Sequence, residues 1–207
     1  MNSHTTPTPA QKKQLDSYIQ LLRQWNTTIN LVAPGTLADV EQRHIQDCAQ
    51  LVPHVAHLPA QKILDVGSGG GLPGLILAIL APQHTYTLSE RDQRKSAFLR
   101  TAAHQLQLTN VTISAADVKT LTEQYDIITA RAFSSLLNIL QDTSPLLAPA
   151  GHYLLLKGQA IDEELRACET KFHLTTERWP SIVAGNGWVV RLKLNVSAPV
   201  PRGTPHL

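Results

Sequence analysis

The residues with the clearest chemical content lie in one run, Asp65-Val66-Gly67-Ser68-Gly69-Gly70-Gly71-Leu72-Pro73-Gly74, which holds five of the chain's 11 glycines. A turn this poor in side chains lets backbone amides reach a ligand directly, and a helix starting behind it adds partial positive charge. Gly67-x-Gly69-x-Gly71 has the spacing of S-adenosylmethionine sites, while Gly69-x-Gly71-x-x-Gly74 has that of dinucleotide sites. Glu90 follows at about the 20-residue distance where an acid accepts hydrogen bonds from two ribose hydroxyls, and both ligands carry such a ribose. Asp65 would place negative charge at one end of the ligand, which suits an ammonium or sulfonium better than a pyrophosphate. The same carboxylate could instead hold its own loop by accepting neighbouring amides. The run therefore favours S-adenosylmethionine and leaves a dinucleotide open.

Other chemistry-bearing residues read more plainly. His54-x-x-His57 sits beside Pro53 and Pro59 with no cysteine or acid cluster, so no metal is expected there. Cys48 and Cys168 stand 120 positions apart, which suits buried free thiols rather than a disulfide or a zinc site. His44 and Asp47 share one helical face and read as fasteners between elements.

Two kinds of element must position these groups. Leu15, Tyr18, Ile19, Leu22, Trp25 and Ile29 recur with helical period, and Pro34-Gly35 should end that helix. A second helix is expected from Thr36 to before Pro53. After Pro59 the pattern changes to short apolar runs, with strands expected at 62–66, 85–88, 111–114, 125–130 and 153–156. Helices are expected between them at 72–80, 93–108, 134–140 and 161–172. That alternation implies an α/β fold, Rossmann-like, with a mostly parallel seven-stranded sheet. Segments 171–178 and 188–196, joined through Gly185-Asn186-Gly187, would close it as an antiparallel pair, making the last strand antiparallel. The expected organisation is a flexible tail at 1–10, an N-terminal helical cap at 11–58, a core at 59–197 and a second tail at 198–207, in one compact domain.

Composition bounds the function. Of 207 residues, 43% are hydrophobic and 16% charged, which fits a globular chain and excludes a disordered one. The longest apolar run, 72–81, is interrupted by Pro73 and is too short for the roughly 20 residues that span a bilayer. The start, MNSHTTPTPAQ, lacks a secretion signal, so a cytoplasmic location is expected. A net charge of +2 would not by itself nominate a nucleic-acid partner.

Beyond the loop stand Trp25-Asn26 with Asn30-Leu31, Arg43-His44-Ile45-x-Asp47, Arg131-Ala132-Phe133 and Leu156-Lys157-Gly158. In this order, and over nearly the whole chain, the set resembles the glucose-inhibited division protein B family, the ribosomal RNA small subunit methyltransferases G. The resemblance implies a class I S-adenosylmethionine-dependent methyltransferase that modifies N7 of a guanine in the 530 loop of 16S ribosomal RNA. It also implies cofactor contacts at Gly67, Leu72, Glu90, Asp117, Val118, Lys119 and Arg131, in addition to Asp65, Gly69 and Gly71 of the loop. The family commonly has an arginine and then a glutamate after the third strand, where this chain has Asp117 and Lys119. Arg131 and Lys157 would stand at the ends of the fourth and fifth strands, facing RNA or cofactor, with Arg94, Lys95 and Arg100 as a basic rim. The partner would be 16S ribosomal RNA, naked or in the 30S subunit, met by a monomer.

The residue types agree with that acceptor. Amino-group methyltransferases commonly use an Asn/Asp-Pro-Pro-aromatic motif after the fourth strand, where this chain has Ala130-Arg131-Ala132-Phe133. Pyrimidine C5 enzymes need a nucleophilic cysteine, and neither Cys48 nor Cys168 ends an expected core strand. Guanine N7 carries no proton and needs no general base. Arg131 would then meet guanine O6, a phosphate or the cofactor carboxylate, and Phe133 would either stack on a flipped base or pack at the start of the next helix. A small-molecule methyltransferase and a non-catalytic cofactor-binding module on the ribosome are the other readings.

Overall fold

The computed structural model describes residues 6–183 and 187–195. The expected turn residues Gly185 and Asn186, the strand end Val196, the tail at 198–207 and the first half of the N-terminal tail lie outside the described residues.

Helix α1 (Pro9–Asn26) opens the chain. Its start is earlier than the composition suggests: the Thr8 Oγ1 accepts from Gln11 N and the Gln11 Oε1 accepts from Thr8 N, a capping box that makes residues 8–10 ordered rather than tail. The buried stripe is Leu15, Tyr18, Leu21 and Leu22. The expected second helix is replaced by a 3-10 turn (Pro34–Thr36), a π-helical segment (Glu41–Gln46) and a short α2 (Asp47–Ala49).

The alternating region then runs β1 (Lys62–Val66), α3 (Gly74–Leu80), β2 (Thr85–Ser89), α4 (Gln93–Gln105), β3 (Val111–Ser114), β4 (Tyr125–Arg131), α5 (Leu136–Thr143), β5 (Leu147–Lys157), α6 (Ile161–Glu169), β6 (Leu174–Pro180) and β7 (Trp188–Leu194). Strand β5 starts well before the expected residue 153, because pairing with β4 begins at Leu147, opposite Tyr125, and resumes at His152 after a register shift. The sheet order is β3-β2-β1-β4-β5-β7-β6. The first five strands pair in parallel, and β7 runs antiparallel to both β5 and β6. This is the α/β Rossmann-like sheet the alternation implies.

Two apolar clusters cover the sheet. One joins α1, α2, α3 and α4; the other joins α5, α6 and the inner face of β5 and β7. Helix α3 is Gly-Leu-Ile-Leu-Ala-Ile-Leu and buried nearly all round, as a helix roofed by another layer must be. That roof is α1: Trp25 meets Phe98 edge to face at 5.7 Å, and Gln11 and Gln14 donate to the carbonyls of Ile79 and Leu106. The cap also reaches the glycine loop, where the buried Tyr18 hydroxyl donates to the Gly70 carbonyl at 2.6 Å. None of the described helices is long and apolar enough to cross a membrane.

Candidate functional site

The loop after β1 is set by its glycines and by two acids of opposite fate. Gly67 and Gly69 have φ of 64° and 54°, in the left-handed region that side chains disfavour. Gly67 N and Ser68 N donate to the Ser89 carbonyl, so the loop is tied to the end of β2. Glu90 tightens the tie, its Oε2 accepting from Gly69 N at 2.9 Å and its Oε1 from Asp92 N at 2.8 Å. The carboxylate is almost buried yet borders an open cavity, and each oxygen keeps a second lone pair for a ligand.

Asp65 behaves differently from the expectation that its charge meets the ligand. It is fully buried beneath the loop, its Oδ2 accepts from Gly74 N at 3.1 Å, and it does not reach the cavity wall. Burial pushes its carboxyl up to about 7. Its role is to anchor the first turn of α3, and Gly74 is what permits this: a Cβ there would meet Asp65 Oδ2 at 2.6 Å. Gly71 likewise lies off the cavity and makes room for Leu75.

The cavity measures about 660 Å³. One wall belongs to the cap: Asn26 Oδ1 accepts from Leu31 N and Val32 N, fixing Leu31–Ala33 over the glycines, and His44 stands beside them. Opposite lie Glu90, Arg91 and Lys95 after β2 and Ala116 to Lys119 after β3. The unusual pair at 117 and 119 closes on itself. Asp117 Oδ1 caps Lys119 N at 3.0 Å, and the Lys119 ammonium pairs with Asp142 at 3.1 Å. Leu72 and Val118 add apolar surface.

Arg131, at the end of β4, borders this cavity and a second one of about 360 Å³. The second is walled by Arg43 and Asp47 from the cap, Leu156 to Gly158 from β5, and Ser181 and Trp188 from the β6 and β7 ends. The guanidinium is bound to the cap: Nη1 donates to Asp47 Oδ2 at 2.9 Å, and Nη2 lies 2.6 Å from His44 Nδ1. Burial raises the Asp47 carboxyl, against the pull of Arg131, and pushes the Cys48 thiol beside it up to about 12.

Lys157 borders the second cavity but turns its ammonium to Glu164 at 2.7 Å. The same carboxylate oxygen accepts from Leu136 N at 2.5 Å, so the pair holds the start of α5. Between these anchors the chain makes a strained turn, with Ala132 at φ 49°. Phe133 leaves that turn 39% exposed, its ring lying directly on Gly67 at the cavity wall. Of the expected basic rim, only Lys95 reaches the cavity; Arg94 is solvent-facing beside Asp92, and Arg100 lines a separate groove with His104. His54 lies tilted against the Trp179 ring, with centroids 4.3 Å apart. Val32, Ala33 and Asp142 carried no signal of their own in the sequence, whereas the Trp25-Asn26, Asn30-Leu31 and Arg43-His44 motifs that place the cap wall did.

The model of the family rRNA small subunit methyltransferase G matches residues 11–187. A ribosomal RNA small subunit methyltransferase G of Cereibacter sphaeroides is 42% identical over 185 residues, covering 87% of this chain and 88% of its own. One from Acidiphilium cryptum is 38% identical, over 86% and 82%. Among solved structures, an S-adenosylmethionine-dependent methyltransferase from Aquifex aeolicus superposes with a TM-score of 0.60 at 11% identity, over 84% of this chain and 97% of that one. The chain belongs to the small subunit rRNA methyltransferase G family, and its fold is that of class I S-adenosylmethionine-dependent methyltransferases.

Proposed function

We propose that this protein transfers a methyl group from S-adenosylmethionine to N7 of a guanine in the 530 loop of 16S ribosomal RNA. The observation that carries the choice of acceptor is the state of the polar groups where the two cavities meet. Each is already engaged: His44 Nδ1 with Arg131, Asp47 with Arg131 and Gln50, and Lys157 with Glu164. None stands ready to remove a proton, which suits an acceptor nitrogen that has none to lose. An exocyclic amine or a ring carbon would require such a group.

The larger cavity has the chemistry of the donor. Glu90 offers paired oxygens to ribose hydroxyls, Val118 and Leu72 offer apolar edges to adenine, and Lys95 and Arg131 offer cations to a carboxylate. The left-handed glycines let main-chain atoms approach closely, and a Cβ at Gly69 would meet nothing nearer than the Gly67 carbonyl at 3.8 Å. When bound, S-adenosylmethionine supplies an activated methyl on a sulfonium. The chain's own task is alignment, an effect of up to roughly 7–11 kcal/mol in favourable cases. Arg131 and Ala132 form the shared wall through which acceptor and donor would meet, with the acceptor base entering the second cavity.

Incubation with labelled S-adenosylmethionine and either naked 16S RNA or 30S particles, mapped by borohydride and aniline cleavage, tests this reading. A cleavable N7-methylguanine in the 530 loop is expected. Label at another atom, or only in small metabolites, overturns it.

A further inference from the structure

Arg131 is held more elaborately than a charge pair requires. His44 Nε2 lies 2.7 Å from Thr36 Oγ1, and that hydroxyl itself donates to the Ala33 carbonyl at 2.7 Å. A hydroxyl has one hydrogen, so Thr36 must accept from His44, and the imidazole proton must sit on Nε2. That leaves a bare lone pair on Nδ1, facing a guanidinium that can only donate. Both ends therefore demand the same neutral tautomer. The chain of bonds runs from Ala33, on the wall of the larger cavity, through Thr36 and His44 to the group shared by both cavities.

We propose that Thr36 and His44 are positioning residues for methyl transfer: they fix the Arg131 guanidinium at the junction of the two cavities, and protonation of His44 releases it. The inference rests on the reading above that transfer occurs at that junction. Asp47 supplies the countercharge, but it, the Arg43 carbonyl at 3.4 Å and the Cys48 sulfur at 3.9 Å all meet Nη1, so the guanidinium stays free to pivot about that nitrogen. The Nη2 bond to His44 removes that freedom. A proton added at Nδ1 would abolish the bond and set two cations against each other. Burial, with Arg131 and Arg43 nearby, pushes His44 down to about 4. Arg43, Asp47 and Cys48 on the cap face the pair, with Tyr18 and Asp65 acting on the guanidinium from α1 and β1. Cys48 stays a neutral thiol, while burial raises the Asp47 carboxyl, so the members in direct contact with Arg131 that acid can protonate are His44 and Asp47.

Two amide variants separate positioning from mere filling. In His44→Asn the side-chain oxygen replaces Nδ1 and can still accept from Arg131; in His44→Gln the amide replaces Nε2 and cannot. Methylation of RNA is measured from pH 3.5 to 8, with thermal melts confirming that both variants fold across that range. His44→Gln is expected to lower kcat about 10- to 100-fold, with less than about threefold change in KM for S-adenosylmethionine. His44→Asn is expected to recover most of that loss and to lose the part of the acid limb that His44 contributes, keeping only what protonation of Asp47 causes. Equal impairment of the two amides, or an acid limb in His44→Asn unchanged from the wild type, overturns the proposal. Nitrogen-15 NMR of the wild type judges the relay without turnover, because an unprotonated Nδ1 beside a protonated Nε2, persisting down to about pH 5, is required, and protonation of Nδ1 near 6.5 overturns it. Absence of any RNA methylation by the wild type would remove the proposed function, while the NMR result would still decide whether His44 holds Arg131.

Discussion

The contact between Gly67 and Phe133 makes a quantitative prediction about the turn after β4. A Cβ at Gly67 would lie 2.0 Å from Phe133 Cδ2 and 2.7 Å from both Cγ and Cε2, against roughly 3.5–4.0 Å for carbon atoms in contact. The ring must therefore retreat by more than about 1 Å. It cannot do so by a tip rotation alone, because Cγ is involved and the turn is pinned by Arg131 on one side and by Lys157 Nζ on the Ser134 carbonyl on the other. Gly67→Ala should cost about 1–2 kcal/mol for the left-handed backbone and about 1–3 kcal/mol for overpacking. In a Phe133→Ala background only the first cost remains. Urea unfolding of the wild type, both single variants and the double variant should give a coupling of about 1–3 kcal/mol. Additivity within about 0.5 kcal/mol would refute the claim that the ring sits on the glycine.

Gly69→Ala should behave in the opposite way: about 1 kcal/mol of stability lost to φ, but at least about tenfold in S-adenosylmethionine affinity, since its methyl enters the cavity rather than the protein; calorimetry showing unchanged affinity would move the ligand off this loop. Tyr18→Phe removes the buried 2.6 Å bond to the Gly70 carbonyl and should cost about 1–2 kcal/mol in denaturant unfolding. Stability of the wild type relative to His44→Asn should fall as pH drops from 6.5 towards 4. The unfolded chain binds a proton at His44 in that window and the folded one does not, so the difference grows to at most about 3 kcal/mol, less where solvent reaches the ring. A flat difference across that window in paired melts would contradict the depressed imidazole.

Most of the sheet was legible because its strands are short apolar runs between helical stretches. β1 and β3 fall where periodicity places them, and the antiparallel end followed from two strand-like segments with no helix between. The glycine loop and Glu90 were legible for the same local reason, since ligand loops need bare backbone. What failed were features set by tertiary partners. Residues 36–52 carry a helical pattern, yet Thr36 bonds His44 instead of capping a helix, and a π segment carries His44 and Asp47 to Arg131. Asp65 looked like a ligand acid because it adjoins the glycines. One residue's difference in strand position places it under the loop rather than on it, a distinction of facing that composition does not record.

Arg131 and Lys157 show why strand-end residues are ambiguous from sequence. Both end parallel strands at the edge where α/β folds bind ligands, and both carry a charge there. A free cation would serve RNA phosphates without regard to direction. Each instead is spent on protein: Lys157 on the Glu164 carboxylate that also caps α5, Arg131 on His44 and Asp47 of the cap. A cation so held gains directional precision and gives up reach. The junction therefore looks built to orient neighbours rather than to attract polyanions, and attraction falls to groups such as Lys95 and Arg91 on the outer wall. On this division, neutralising Lys95 should weaken RNA binding and flatten its salt dependence, whereas disturbing His44 should slow transfer and leave that dependence unchanged. Binding measured from 50 to 200 mM salt separates the two, and a salt slope altered by His44→Gln would show that Arg131 serves RNA phosphates after all.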